Sequence, residues 1–308
     1  MPLYTTNAIV IRSQHYGESD KIVTFFTEDF GKIKGIAKGA RRSKKRFQNA
    51  LDLFSHLHLI FFDREGMGLV RAENCDILHP FPRIREDLKK IFYGNYYLEL
   101  INEMAGEREA NAEAFYLLLY FLMNLETMEP QEERLRMFEI RMLSLFGYRP
   151  NMRRCGLCKR DWSDLKEIAS LFFSLEMGAL VCESCSKASK HLIPLSLGTA
   201  RFIERVSQSE LEKIHRFKFT VQALSESRGL LPRFITYQLG KELKSLKALN
   251  VISPRPLFRG GPVAMSLRGN ETTEPISQSS EDNEIAALPR NECGIARNDK
   301  NKNYGTVS

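Results

Sequence analysis

The first 80 residues alternate apolar and polar positions over short runs, a pattern that predicts β-strands. Candidate strands cover Asn7–Arg12, Lys21–Thr27, Lys32–Lys38, Leu53–Phe62 and Met67–Leu78. Turn signals rich in Gly, Asp and Glu separate several of these runs. Five short strands joined by glycine-bearing turns in so short a segment favour a small closed barrel.

The periodicity changes at Pro82, where apolar residues begin to recur every three or four positions. This spacing places them on one face of a helix. The predicted helices begin at Pro82 and continue over Phe115–Leu122, Leu135–Leu145, Leu197–Val206, Thr220–Ser227 and Leu231–Leu249. The whole pattern therefore predicts an α+β protein in which a five-stranded barrel precedes a helical domain.

Three segments follow from these changes of pattern. The barrel is predicted over 1–80 and the helical domain over 81–252, with an insertion at 151–190 where the helical periodicity is interrupted. Residues 253–308 are rich in Pro, Gly, Asn, Ser and Glu, and their seven basic and seven acidic residues balance. Such a segment has little apolar surface to bury, so we predict a disordered tail.

Composition adds one point, which is charge. The 308 residues include 45 Lys and Arg against 38 Asp and Glu, a formal net charge of +7. A basic balance favours nucleic acid or an anionic membrane as partner, although a protein that is merely soluble and basic has the same balance.

No run approaches the ~20 apolar residues of a membrane span. The first residues also lack the basic and apolar segments of a secretion signal. We therefore predict a cytoplasmic protein without a membrane partner.

Four of the six cysteines form two C-x-x-C pairs, Cys155 with Cys158 and Cys182 with Cys185. A predicted hairpin over Leu171–Val181 would bring the second pair back to the first. Zn²⁺ binds four such ligands as a tetrahedron, and four thiolates leave no position open for water. The pattern therefore predicts a structural Zn²⁺ site. Two redox-active pairs are less favoured, because the thioredoxin-like βαβ setting is missing.

A basic stretch over 32–46 holds eight cations and no acid. Alternation predicts that the first cations project from one strand face, with Ile33 and Ala37 turned inward, and that the rest lie on an exposed loop. Such cations can follow a phosphate chain and release its counterions, although a solvated surface is the alternative. The candidate DNA-binding residues are Lys32, Lys34, Lys38, Arg41, Arg42, Lys44, Lys45 and Arg46. Tyr16 and Phe47 could stack on bases, but simple packing is favoured for both.

No motif for nucleotide hydrolysis or hydrolytic chemistry accompanies these features. The chain lacks G-x-x-x-x-G-K-[ST], G-x-S-x-G and H-E-x-x-H. An acidic cluster suited to a two-metal nuclease is not evident either. We therefore predict no catalytic residue and no enzyme activity. Two alternatives stay open, namely a zinc-dependent enzyme acting on nucleic acid and a scaffold that binds only proteins.

The order of these features resembles the RecO family of bacterial recombination and repair mediators. The segments TTNAIVIRSQHYGESDKIVTFFTEDFGKIKGIAKGARRSKKRF and LDLFSHLHLIFF are similar to the N-terminal barrel of that family. CGLC followed by FFSLEMGALVCESC is similar to the knuckle–hairpin–knuckle layout of its zinc-carrying members. Those members usually carry two adjacent glycines where this chain has Gly178 and Ala179. The resemblance covers about residues 1–252.

The resemblance implies an oligonucleotide-binding (OB) barrel, a helical domain and a protein that is cytoplasmic and nucleoid-associated. It implies binding of single- and double-stranded DNA and annealing of complementary strands. It also implies that the protein works with RecR to load RecA, an indirect partner, onto DNA coated by single-strand-binding protein. The barrel positions that it assigns to DNA are Lys32, Lys34, Lys38, Arg41 and Arg42, followed by Lys44, Lys45 and Arg46. The acidic tail of single-strand-binding protein is expected to contact the helical domain, where Lys241, Lys244 and Lys247 are suggested and a solvated face is the alternative.

Overall fold

The computed structural model describes residues 2–43, 46–63, 68–162 and 170–252. The predicted tail over 253–308 lies outside the described residues, as do Lys44 and Lys45. The barrel strands are β1 (Leu3–Tyr16), β2 (Asp20–Thr27), β3 (Gly31–Ala37), β4 (His56–Phe62) and β5 (Val70–His79). Within the described chain, no helix combines the length and the apolar character that crossing a membrane would need.

Each barrel strand pairs with two neighbours in the order β1-β2-β3-β5-β4. The long strand β1 makes this possible, because its first half pairs with β4 and its second half with β2. The ring closes through a short parallel pairing in which Gly35 lies opposite Val70 and Ile36 opposite Arg71. The prediction of an α+β protein with a five-stranded barrel before the helices is confirmed.

Alternation of side chains fills the interior of the barrel. In β4, Leu57, Leu59 and Phe61 are buried, whereas the residues between them point outward. They pack with the inward residues of the other strands and with Phe47 and Leu51 from the loop before β4. The barrel therefore has a hydrophobic core of its own.

The helical body follows in sequence. Its helices are α1 (Pro82–Glu86), α2 (Leu88–Met104), α3 (Ala112–Thr127), α4 (Glu132–Leu145), α5 (Glu183–Ser186), α6 (Leu197–Gln208), α7 (Val221–Leu239) and α8 (Lys244–Ile252). Side-chain caps begin α2 and α3, where Asp87 accepts a hydrogen bond from the Lys90 N–H and Asn111 accepts one from the Ala114 N–H. The core of this body includes Phe26 from the outer barrel face, so the barrel packs directly against the helices.

The end of the helical body differs from the prediction of one helix over Leu231–Leu249. Helix α7 runs through Pro232 and ends at Gly240, which has a φ of 66°. Proline removes one backbone hydrogen bond, but the buried side chains on both sides of it keep the helix continuous. Glycine is the residue that adopts a left-handed conformation at low cost, so the break falls there. The two helices predicted over Thr220–Ser227 and Leu231–Leu249 are therefore divided at the wrong place.

Between α4 and α6 lies a small three-stranded sheet. Its strands are β6 (Leu171–Ser174), β7 (Ala179–Cys182) and β8 (Leu192–Pro194), in the order β7-β6-β8. Strands β6 and β7 form the predicted hairpin, with Leu171 opposite Cys182. Helix α5 then begins directly after Cys182, which places both cysteines of the second pair beside the hairpin.

Candidate nucleic-acid interface and metal centre

Three of the predicted DNA-binding cations lie exposed at one end of the barrel. Lys38 follows β3 directly, and Arg41 and Arg42 lie in the turn after it. Within the described chain, none of the three forms an ion pair with a carboxylate. Their charge is therefore available to a ligand in solvent.

This turn is held against the hairpin that joins β1 to β2. The Asp20 carboxylate accepts a hydrogen bond of 2.8 Å from the Gly39 N–H, and this bond is the main reason why the pKa of Asp20 is lowered. Arg41 donates its backbone N–H to the Ser19 carbonyl at 3.0 Å and its guanidinium to the Glu18 carbonyl at 2.9 Å. These bonds fix the basic turn close to the end of β1.

An exposed aromatic ring lies at the same end of the barrel. Tyr16 is the last residue of β1, is 54% exposed and pairs across the strands with Asp20. Phe47 is only 3% exposed and belongs to the barrel core, which confirms packing as its role. The Arg46 guanidinium lies over the Phe47 ring, 5.1 Å from its centroid, and pairs with Glu73 at 3.4 Å. Tyr16 is therefore the better candidate for stacking on a base.

Lys32 and Lys34 project from the outer face of β3, but the helical body contacts both of them. The Lys32 ammonium donates a 2.6 Å hydrogen bond to the Asn102 carbonyl, and burial lowers its pKa. Lys34 forms an ion pair with Glu107 in the loop between α2 and α3. The Arg108 N–H in that loop also donates to the Lys32 carbonyl at 2.9 Å. The assignment of these two lysines to DNA stays a prediction, and each would have to exchange a protein contact for a phosphate.

One exposed cation escaped the sequence analysis. Arg12 on β1 is opposite Thr24, and Thr24 is opposite Lys34, so the three side chains form one row across the outer sheet face. A bulge between Val10 and Arg12 shifts the alternation of β1. Simple counting from Asn7 therefore could not place Arg12 on this face.

The four cysteines of the two C-x-x-C pairs meet in space. Their sulfur atoms all lie within 4.8 Å of one another, and the Cys182 sulfur is 3.9 Å from that of Cys155 and 3.8 Å from that of Cys158. A tetrahedron with Zn–S bonds of about 2.3 Å has edges of about 3.8 Å. The spacing therefore fits one tetrahedral metal ion, and it is too long for a disulfide bond.

Backbone hydrogen bonds assemble the first cysteine pair against the hairpin. The Cys155 N–H donates to the Arg160 carbonyl at 2.9 Å, and the Gly156 N–H donates to the Leu180 carbonyl at 2.8 Å. A Cβ at Gly156 would approach Ala179 to 3.2 Å, so the tight fit there favours glycine. The Gly156 bond therefore ties the first cysteine pair to strand β7 of the hairpin.

The thiols of this cluster titrate unequally. Burial opposes ionisation of Cys155, but hydrogen bonds from the backbone of Cys182 and Cys158 lower its pKa to about 6. Hydrogen bonding with Cys182 raises the pKa of Cys185 to about 12. Four thiols this close compete for protons, and a divalent cation that binds all of them as thiolates removes that competition. The donor set therefore fits a soft or borderline metal.

The suggested protein-binding lysines at the end of the helical body have local contacts. Lys241 forms an ion pair with Glu103, and Lys247 pairs with Glu242 at 2.7 Å. The Lys244 N–H donates to the Glu99 carboxylate at 3.0 Å, which caps α8. Two of the three ammonium groups are thus already neutralised, so their role as a protein-binding surface stays a suggestion.

Comparison with known proteins agrees with this architecture. Family models described as Recombination protein O N terminal and Recombination protein O C terminal match residues 1–81 and 85–247. A relative from Syntrophus aciditrophicus (strain SB), named DNA repair protein RecO, is 38% identical over 81% of this chain and 96% of its own length. Relatives with the same name from Desulfosudis oleivorans and Desulfatibacillum aliphaticivorans are 32% and 34% identical, each over 99% of its own length and over 82% and 83% of this chain. The chain therefore belongs to the recombination protein O family.

Proposed function

We propose that this protein is a non-catalytic mediator of recombinational DNA repair that binds single- and double-stranded DNA and anneals complementary strands. Membership in a family whose relatives are named DNA repair proteins supports the repair role. The observation that carries DNA binding is the group of exposed cations Lys38, Arg41 and Arg42, with which no described acid forms an ion pair, beside the exposed ring of Tyr16. We call these four residues the barrel-end surface.

The barrel-end surface suits a single strand, and the barrel that carries it is assigned to the OB type. Its cations neutralise successive phosphates and release counterions, so affinity should fall as salt rises. The tyrosine ring can stack on any base, and such stacking contributes about 1–3 kcal/mol per base without sequence preference. Annealing needs no nucleotide hydrolysis under this proposal, because neutralised strands repel each other less.

The four-cysteine cluster is assigned to Zn²⁺ in a structural role. Cys155, Cys158, Cys182 and Cys185 would supply all four ligands, which leaves no position for a reacting water. The ion would hold the hairpin β6–β7 to the first cysteine pair. RecR, single-strand-binding protein and, indirectly, RecA are the proposed protein partners, and family membership is what supports them.

Charge reversal of the barrel-end surface tests the proposal. We expect K38E/R41E to reduce affinity for a single-stranded oligonucleotide at least about tenfold at low salt, because two phosphate contacts become repulsive. Fluorescence anisotropy across a salt series measures both affinity and salt dependence. The matched control is R83E/K89E, which reverses two exposed cations on α1 and α2.

The outcomes separate the candidate functions. Loss of binding in K38E/R41E, with native circular dichroism and with the control unchanged, supports the assigned surface. Unchanged affinity in K38E/R41E rejects that surface. If the unmodified protein shows no affinity for DNA even at low salt, DNA binding is rejected and a scaffold that binds only proteins becomes the better description.

A further inference from the structure

Strand β1 carries a row of exposed side chains that begins at the barrel-end surface. Arg12, Gln14 and Tyr16 occupy every second position of this strand, so they share its outer face. The Gln14 side-chain amide lies beside the Arg12 guanidinium. Four residues of a β-strand span about 13 Å, which equals about four nucleotides at the 3.4 Å spacing of a stacked DNA strand. A DNA single strand that stacks on Tyr16 can therefore reach Arg12.

Arg12 lines a groove between the barrel and the helical body. The groove lies where β1, α2 and α8 meet, and it has a volume of about 490 Å³. The bulge in β1 turns Arg12 to the outer side next to Ile11, and both side chains line this groove. Sites that hold small ligands have volumes of about 300–1,000 Å³. The groove is therefore large enough for a single nucleobase.

The walls of the groove combine apolar side chains with an amide. Phe92 on α2 is half-buried, and Leu98 and Ala248 add apolar surface from α2 and α8. Asn95 lies one helical turn after Phe92, and within the described chain its side chain has no hydrogen-bond partner. An aromatic ring offers a stacking surface to any base, and an amide both donates to a base edge and accepts from it. These groups therefore suit an unstacked base.

The charges around the groove suit a phosphate group. Arg12 on β1 and Lys244 on α8 are exposed, and neither forms an ion pair with an acid that the structure describes. The two acids of the lining are already engaged, because Glu99 accepts a hydrogen bond from the Lys244 N–H and Glu103 pairs with Lys241. A phosphate can therefore contact the Arg12 guanidinium and the Lys244 ammonium without displacing a described carboxylate.

We propose that this groove is a base-binding subsite for single-stranded DNA, which extends the barrel-end surface along β1. This inference rests on the proposed DNA-binding function. One unstacked base would lie in the groove against Phe92 and Asn95. The phosphates on either side of that base would contact Arg12 and Lys244. The bases of a duplex are paired and stacked, so the groove favours a single strand over a duplex.

The test uses the full chain in two variants of the groove. F92L removes the ring but keeps an apolar side chain, and R12Q/K244Q removes the two cations. The matched controls are F146L, which removes a half-buried ring at the edge of the same core, and R83Q/K89Q, which removes two exposed cations elsewhere. Fluorescence anisotropy with a 12-nucleotide strand and with a 30-base-pair duplex, across a salt series, gives the affinity and the salt slope of each variant.

We expect F92L to lose about three- to tenfold in single-strand affinity and to keep its duplex affinity within about twofold, because only an unstacked base meets the ring. R12Q/K244Q should lose about tenfold in single-strand affinity, with the salt slope smaller by about 1, because two phosphate contacts are lost. Strands that carry 4-thiothymidine at successive positions should cross-link under ultraviolet light to a peptide that contains Phe92 or Asn95, which mass spectrometry identifies. If F92L loses its native circular dichroism, Ala248→Met narrows the groove from α8 and should show the same loss.

Several outcomes would overturn the inference. One is a single-strand affinity of F92L equal to that of F146L, even when K38E/R41E abolishes strand binding and so supports the proposed function. Another is a loss in F92L that extends equally to the duplex, because a base-binding groove does not act on paired bases. If R12Q/K244Q weakens binding of a hexa-aspartate peptide but leaves strand binding unchanged, the groove is a protein-binding site instead. Absence of all DNA binding in the unmodified protein would reject the proposed function together with this subsite.

Discussion

At the scale of single residues, the core of the helical body contains a buried charged pair. Arg136 and Glu139 on α4 are 3% and 0% exposed, and their closest charged atoms are 2.8 Å apart. The Tyr96 hydroxyl on α2 donates a hydrogen bond to the same carboxylate. Burial raises the pKa of Glu139 to about 7 despite the neighbouring guanidinium. The carboxyl group therefore titrates inside the fold near neutral pH.

This pKa predicts how stability depends on pH. Glu139 binds its proton more tightly in the folded state than in the unfolded state, where the pKa is near 4.5. Its contribution is fully present below about pH 4.5 and is lost as pH rises through about 7, by up to about 3 kcal/mol. Glu139→Gln removes this titration, so the stability of the variant relative to the unmodified protein should rise between pH 5 and pH 8.

Urea unfolding at several pH values measures the difference, with the exposed Glu129→Gln as control. Parallel pH profiles of the Gln variant and the unmodified protein would contradict the raised pKa.

At the scale of secondary-structure elements, the sequence predicted those features that depend on residues close together in the chain, namely the alternation of the strands and the cysteine pairs with their hairpin. Alternation over Leu53–Phe62 puts Leu57, Leu59 and Phe61 on one strand face, and the structure shows that this face fills the barrel. The two C-x-x-C pairs with their hairpin predicted where four thiols would meet. The predicted break between Ser227 and Leu231 is wrong, because α7 continues through Pro232, where buried neighbours outweigh the one hydrogen bond that proline removes.

The sequence could not predict which cations of the barrel stay free. Lys34 and Lys38 look alike in an alternating strand, yet Glu107 pairs with the first and no described acid pairs with the second. The difference arises because β5 pairs only with Gly35 and Ile36, and the loop between α2 and α3 lies along the remaining edge of β3. The contact of this loop with β3 joins residues about 70 positions apart in the chain, so patterns within short segments cannot predict it.

The same loop gives a prediction for DNA affinity. Glu107 forms an ion pair with the Lys34 ammonium, so it would compete with a DNA phosphate for that group. We expect Glu107→Gln to strengthen single-strand binding about two- to fivefold at low salt, because an exposed ion pair is worth at most about 1 kcal/mol. Anisotropy measures the change, and Glu86→Gln is the control for removing one exposed negative charge. Equal affinity gains in both variants would show that only net charge matters, and no gain in Glu107→Gln would exclude Lys34 from the interface.

At the scale of the whole molecule, two hydrophobic cores divide the described chain. One fills the barrel, with Phe25 and Leu59 among its members. The other joins the helices, the cysteine hairpin and the outer barrel face, and it includes Cys155, Cys182 and Phe234. The Phe173 ring of the hairpin meets the Phe234 ring of α7 edge-on, with centroids 5.2 Å apart. The proposed metal is therefore expected to stabilise the core of the helical body, because the barrel core contains none of its ligands.

This division predicts what loss of the metal does. We expect Cys155→Ser to lower the zinc content, to lower the unfolding temperature by several degrees and to remove hydrogen-exchange protection from β6, β7 and α7, because a structural site contributes folding free energy. Protection in β2 and β3 should persist, since the barrel core contains none of the four ligands.

Cys293→Ser is the control for losing one thiol and should match the unmodified protein. X-ray absorption of the unmodified protein should show four sulfur ligands around zinc. A Cys155→Ser variant that keeps its native stability and exchange pattern, but loses DNA binding, would show that the metal serves the interface and not the fold.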